Sequence, residues 1–279
     1  MLRRGAIGVS FALFAIACVV ESGSHEEQAP TPQGGEVSVA GIPTLGPVDG
    51  GLPPVNVSRR IRVYWHVIHV GPGTSQGSVA DSQIENQVRV LNEAFEPGTF
   101  SFYLAAIDRT NNSAWYTAAF GTTAEREMKN ALHQGTARDL NVYSSNVGNG
   151  FLNYATFPFE YASKPLEDGA VVHFSTLPGG SGAPYNLGHQ LVHATGYWLG
   201  LYNTFHGGCT GSGDGVADTP AQKYSNYGCP EGKNSCPNQP GNDPIHNFMD
   251  FTDDACTNHF TPGQYTRMGD QFALYRANH

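Results

Sequence analysis

The sequence predicts a mixed α/β fold, and three observations carry that reading. Segments with strand-type and helix-type patterns alternate from Ile61 to Leu177, the order expected of a sheet with helices packed on it. The 279 residues include 34 Gly and 18 Pro, too many for a helical bundle and too few for a disordered chain. The last third is dense in turns and holds four of the five cysteines.

Two segments precede the domain. Arg3 and Arg4 stand before an apolar run over residues 6–20, shorter than the roughly 20 residues a membrane span needs, so residues 1–20 read as an export signal peptide. Cys18 closes "FAIAC" and is a candidate for lipid attachment, the alternative being its removal with the signal. A lipid there is the one expected route to a membrane. Residues 21–58 are rich in Pro, Gly and Ser without apolar period, as in a flexible linker or short pro-segment. Residues 59–279 form the expected single domain. A net charge of -9 gives nucleic-acid binding no electrostatic support.

Within the domain, "IRVYWHVIHV" alternates and is rich in β-branched and aromatic residues, which predicts a strand. Ile84, Val88, Leu91 and Phe95 follow at helical spacing, with Ser78 or Asp81 as the cap and Pro97 as the stop. "FSFYLAAI" is a second strand. "TTAEREMKNALHQG" is a second helix, capped by Thr122 or Thr123 and ended by Gly135. "LNVYSSNV" and "GAVVHFSTL" are further strands. "NLGHQLVHATGYWLGLYN" predicts a long helix, and "TPGQYTRMGDQFALYR" a last helix opened by Thr261 and Pro262.

Several uncommon words occur in one order: "GAVVHFSTLPGG", "WLGLY", "TFHGGC", "DTPAQ", "HNFMDFTDDAC" and "FTPGQ". With them, from about Arg59 onward, the chain resembles the pappalysin-type (M43-like) metzincins, secreted zinc endopeptidases. The resemblance implies a metzincin-like fold: a twisted mixed sheet with two backing helices over a long former active-site helix, then an irregular disulfide-linked C-terminal half. That family's helix reads H-E-x-x-H-x-x-G-x-x-H; its three His hold zinc and its Glu is the general base. Aligned on "WLGLY", His193 takes the first ligand position, Ala194 replaces the base, Tyr197 and Asn203 replace the other ligands, and Gly200 is the hinge. Met249 takes the Met-turn position. Phe251 stands where the family has a Tyr that steadies the oxyanion.

These replacements imply lost hydrolysis. Losing a general base alone removes a factor of about 10²–10⁴, and the resemblance leaves no tightly bound zinc expected. Ala194, Tyr197, Asn203 and Phe251 read as fillers of the vacated space, with Asn203 able to end the helix. A rearranged site using His189 with His193, approached by His206, is a rival; the plainer reading makes His189 an exposed first-turn residue. The family pattern implies disulfides Cys209–Cys236 and Cys229–Cys256, against a cysteine zinc site. "GDGVADTP" resembles the family's calcium loop, with Asp214 and the Thr219 region as oxygen donors, against a solvated glycine-rich turn. Three functions follow: an exported pseudoprotease that binds a peptide or protein in the former cleft, a metalloendopeptidase with a rearranged or residual site, or a structural envelope module.

Overall fold

The computed structural model describes residues 59–277 and the dipeptide Cys18–Val19. The remainder of the expected signal peptide, the linker and any lipid on Cys18 lie outside the described residues. Six strands are present: β1 (Cys18–Val19), β2 (Arg59–His69), β3 (Phe100–Asn111), β4 (Leu140–Ser145), β5 (Phe151–Ala155) and β6 (Ala170–His173). The helices are α1 (Asp81–Phe95), α2 (Ser113–Tyr116), α3 (Thr123–Leu132), α4 (His189–Trp198) and α5 (Pro262–Tyr275).

One sheet runs in the order β1-β5-β6-β4-β2-β3. β6, β4, β2 and β3 are parallel, and β5 lies antiparallel to β6. Every residue of β4 is buried, as expected of a central parallel strand covered on both faces. Ile61, Val63, Trp65 and Val67 alternate along β2 and face the main core with Ile84 and Leu91 of α1 and Leu191 of α4. The opposite face packs Tyr143 and Val171 against Met128 of α3 and Tyr116. The two backing helices therefore sit on opposite faces of the sheet.

Local chemistry explains most boundaries. α1 starts at Asp81 with Ala80 before it, so neither Ser78 nor Asp81 is its cap. Thr122 caps α3 by accepting from the Glu125 amide, and α3 stops at Leu132, ahead of Gly135. α5 opens with the capping pair Thr261 and Gln264 and with Pro262 in its first turn. β5 was not anticipated: "FLNYA" is five residues without clean alternation, and only its pairing with β6 makes it a strand.

The irregular second half is held by disulfides joining Cys209 to Cys236 and Cys229 to Cys256. The chain end is tied back by Arg276. Its guanidinium makes two hydrogen bonds to Asp168, at 2.9 and 3.1 Å, and both side chains are fully buried. Arg276 also lies 3.8 Å over the Trp198 ring and donates to the Trp198 and Ala137 carbonyls. The last residue of α4 is thus locked to the end of α5.

Candidate active-site cleft

α4 carries the candidate site, and its two ends decide where the side chains go. Gly188, with φ 93°, precedes the helix and has no side chain to cap it. Asp254 supplies the cap from a distant loop, accepting from the amides of Leu187 at 2.8 Å and His189 at 3.3 Å. Gln190 then bridges the sheet and that loop, accepting from Asn153 of β5 at 2.7 Å and donating to Asp254 at 3.3 Å. At the other end Gly200 adopts φ 93°, its amide donates to Tyr197 and that of Leu201 to Gly196. This is the paired closure that a left-handed residue permits. The helix is therefore ten residues long rather than running to Asn203. Gly200 ends it, and the chain turns back so that Asn203 faces His193.

The three positions that align with zinc ligands meet in one place. His193 Nε2 lies 2.7 Å from the Tyr197 hydroxyl and 3.0 Å from Asn203 Oδ1, and the Tyr197 hydroxyl donates to Asn203 Oδ1 at 2.5 Å. The exposures of His193, Tyr197 and Asn203 are 2%, 0% and 1%. With the Tyr197 proton directed at Asn203, the His193 Nε2–H is the donor to both oxygens. Burial pushes the His193 pKa down to about 4, against the hydrogen bonds that the ring makes to Asn203 Oδ1 and to the backbone of Phe248 and Asp250. The ring is neutral at physiological pH.

Aromatic groups close the space around this triad. Phe251 is 5.6 Å from the His193 ring and Phe157 is 5.7 Å from that of Tyr197. Phe205 packs edge-on against Phe251 at 4.9 Å. Ala194 is fully buried among apolar neighbours. Beneath the helix Met249 is fully buried, and a Cβ at Gly196 would come within 2.5 Å of its sulfur, so only glycine admits Met249 there. Asp250 spends its carboxylate on Asn226, Gln222 and the Phe251 amide, so it braces the turn.

Among the described residues His189, His193 and His206 do not form one group of close ligand atoms. His189 is partly buried rather than exposed; its Nδ1 pairs with Thr257 Oγ1 at 2.8 Å and its ring packs on Phe248. His206 stacks on Tyr202 at 4.6 Å, and the Arg267 guanidinium lies 5.0 Å from the same Tyr202 ring. Neither hydrogen-bonds to His193 among the described residues. Asp214 is buried with Thr219 as its side-chain neighbour, and both line a cavity of about 510 Å³. Burial raises the Asp214 carboxyl to about 6. Sequence reasoning gave no role to Phe157, none to Asp254 although it lies within "HNFMDFTDDAC", and weighed Gln190 only as a base; each acts across a long sequence separation.

Zinc fits this triad poorly. A ligating imidazole nitrogen must be free of its proton, and His193 Nε2 is already committed to two oxygens. Ligand atoms on a tetrahedral zinc stand about 3.3 Å apart, given bonds of about 2.05 Å. Here the three atoms are 2.5 to 3.0 Å apart, hydrogen-bonding distances. One imidazole, a phenol and a carboxamide are also a weaker donor set than three imidazoles.

Comparison with known proteins places this scaffold. The family model described as pregnancy-associated plasma protein-A, peptidase family M43, matches residues 124–273. An extracellular metalloprotease of Pyricularia oryzae is 45% identical over 231 residues, which cover 82% of this chain and 80% of that protein. One from Podospora anserina is 46% identical over 221 residues, covering 78% and 75%. Mature mirolysin of Tannerella forsythia, solved with a cleaved peptide, superposes with TM-score 0.65 at 30% identity, covering 77% of this chain and 92% of mirolysin. A fold with a mostly parallel sheet, a Met-turn under a short helix and a disulfide-linked second half thus goes with relatives of high identity, and this chain belongs to the pappalysin-type M43 family of metzincin metalloproteases.

Proposed function

We propose that this chain is an exported M43 homologue that does not hydrolyse peptides and uses the former cleft to bind a peptide or protein segment. The observation that carries the reading is the closed His193–Tyr197–Asn203 triad, in which protein oxygens take the places around Nε2 that a metal would need. Ala194 adds to it, because no carboxylate stands beside His193 to take a proton from water. Phe251 adds to it as well, since a phenyl ring donates no hydrogen bond to an oxyanion. Aromatic side chains flanking the triad, with Phe159 and Tyr227 exposed, support a binding surface. Export agrees with the two disulfides, with the extracellular relatives and with the absence of any described helix able to cross a membrane.

The test is the zinc content of the purified, disulfide-intact chain together with its cleavage of casein, with and without chelator. The expected result is no stoichiometric zinc and no chelator-sensitive cleavage; zinc bound through His193 with such cleavage overturns the reading. The fourfold change Ala194→Glu, Tyr197→His, Asn203→His and Phe251→Tyr is expected to restore zinc binding.

A structural calcium belongs to the same proposal. The buried Asp214 carboxylate and the Thr219 hydroxyl beside it suit a hard cation that prefers oxygen. Calcium is expected to raise the melting temperature, and Asp214→Asn to abolish the rise. A melting temperature indifferent to calcium removes this part of the proposal.

A further inference from the structure

Away from the cleft, one group of side chains has the composition and spacing of a metal site. Cys229, His246 and Cys256 place ligand atoms within 4.8 Å of one another. Glu231 joins them, with Oε1 3.7 Å from Cys229 Sγ and 3.4 Å from His246 Nε2. Cys256 Sγ is 3.5 Å from His246 Nδ1. Ligand atoms around tetrahedral zinc stand about 3.4 to 3.8 Å apart, from bonds of about 2.3 Å to sulfur and about 2.1 Å to nitrogen or oxygen. Two of these separations, Glu231 Oε1 to Cys229 Sγ and Cys256 Sγ to His246 Nδ1, match edges of one such tetrahedron; Glu231 meets His246 at the other ring nitrogen, so the imidazole ligates through Nδ1 alone.

While Cys229 and Cys256 are joined, neither sulfur is a thiolate and the group cannot ligate. We propose that reduction of Cys229–Cys256 turns this staple into a zinc site of two thiolates, one imidazole and one carboxylate. A phosphine or dithiol reductant supplies two electrons. The S–S bond breaks, each sulfur becomes a thiol, and the reductant leaves as a phosphine oxide, with oxygen from water, or as its own disulfide. Zinc then displaces the two thiol protons. The Nδ1–H bond of His246 to the Cys256 carbonyl, 2.7 Å, is exchanged for the metal.

Access is open, since Cys229 and Glu231 are exposed and His246 is half-buried. The ligands come from the same two segments that the disulfide joins, residues 229–231 and 246–256. The metal would clip those segments when the covalent link is gone.

Cobalt(II) titration of the purified chain, before and after phosphine reduction, reads thiolate ligation directly. The oxidised chain is expected to show no thiolate-to-cobalt charge-transfer band. The reduced chain is expected to bind one tetrahedral cobalt, displaced by zinc. His246→Ala should weaken binding at least tenfold, and the pair Cys229→Ser and Cys256→Ser should abolish the band. Cys209→Ser with Cys236→Ser should leave it, and so should His193→Ala, which separates this site from the cleft. A reduced wild-type chain without the band overturns the proposal, and that measurement needs no variant to fold. A band at full affinity in His246→Ala, or one that follows Cys209 and Cys236, overturns it too.

Discussion

At the scale of single residues, His193 shows how burial and hydrogen bonding redefine a side chain that a motif would name a ligand. Its folded pKa, about 4, lies below the ordinary value of 6.5. The unfolded chain therefore binds the extra proton first as pH falls. The stability this group contributes is complete above about pH 6.5 and is lost on descent toward pH 4, a change of about 3 kcal/mol. Asp214, raised to about 6, acts with the opposite sign: its native form holds the proton more tightly, so stability rises as pH falls below 6. Urea titrations of wild type and His193→Gln at pH 7 and pH 4 isolate the first effect. The wild type is expected to lose about 3 kcal/mol more than the variant; equal losses would contradict a neutral buried imidazole. The sequence named all three members of the triad but not their bonding, because which groups pair depends on a chain reversal that no local pattern encodes.

At the scale of elements, the short α4 is defined by its ends. Its start depends on Asp254, more than sixty residues away in sequence, and its stop depends on Gly200. A Cβ at Gly200 would meet Gln271 at 2.6 Å, in a backbone conformation that disfavours L side chains. Gly200→Ala is expected to cost about 1–3 kcal/mol in denaturant unfolding, and a loss below about 0.5 kcal/mol would show that Asn203 reaches His193 without that turn. Strands β2 and β3 and helices α1, α3 and α5 were legible because apolar periodicity and caps are local. The edge strand β5 was not, because five residues offer too little pattern and its partner β6 decides its state.

For the whole molecule, the Asp168–Arg276 pair joins the loop before β6, the end of α4 and the end of α5. Asp168 also accepts from Trp198 Nε1 at 2.9 Å and from Thr156 at 2.7 Å, so its charge is surrounded by donors. These partners hold its carboxyl below the usual range although burial opposes them. Removing one member leaves the other charged and buried, which costs about 3–5 kcal/mol. Arg276→Ala is expected to lower stability by that amount, and Arg276→Ala with Asp168→Asn by less than the two single losses added together. Additive losses would mean that the two side chains do not act as a unit. The disulfides contribute at the same scale, each joining cysteines at a sequence separation of 27 and restricting the unfolded chain by roughly 3–4 kcal/mol in the entropic account.

By itself the sequence determined the mixed α/β class and the family scaffold, and it singled out His193, Tyr197 and Asn203. These rest on local periodicity, composition and motif order, all of which are written along the chain. Tertiary structure decided that His193, Tyr197 and Asn203 bond to one another, that Asp254 caps α4, and that His189 and His206 turn elsewhere. Those outcomes depend on which distant segments compete for each buried polar atom, and that competition is settled only when the chain has closed around them.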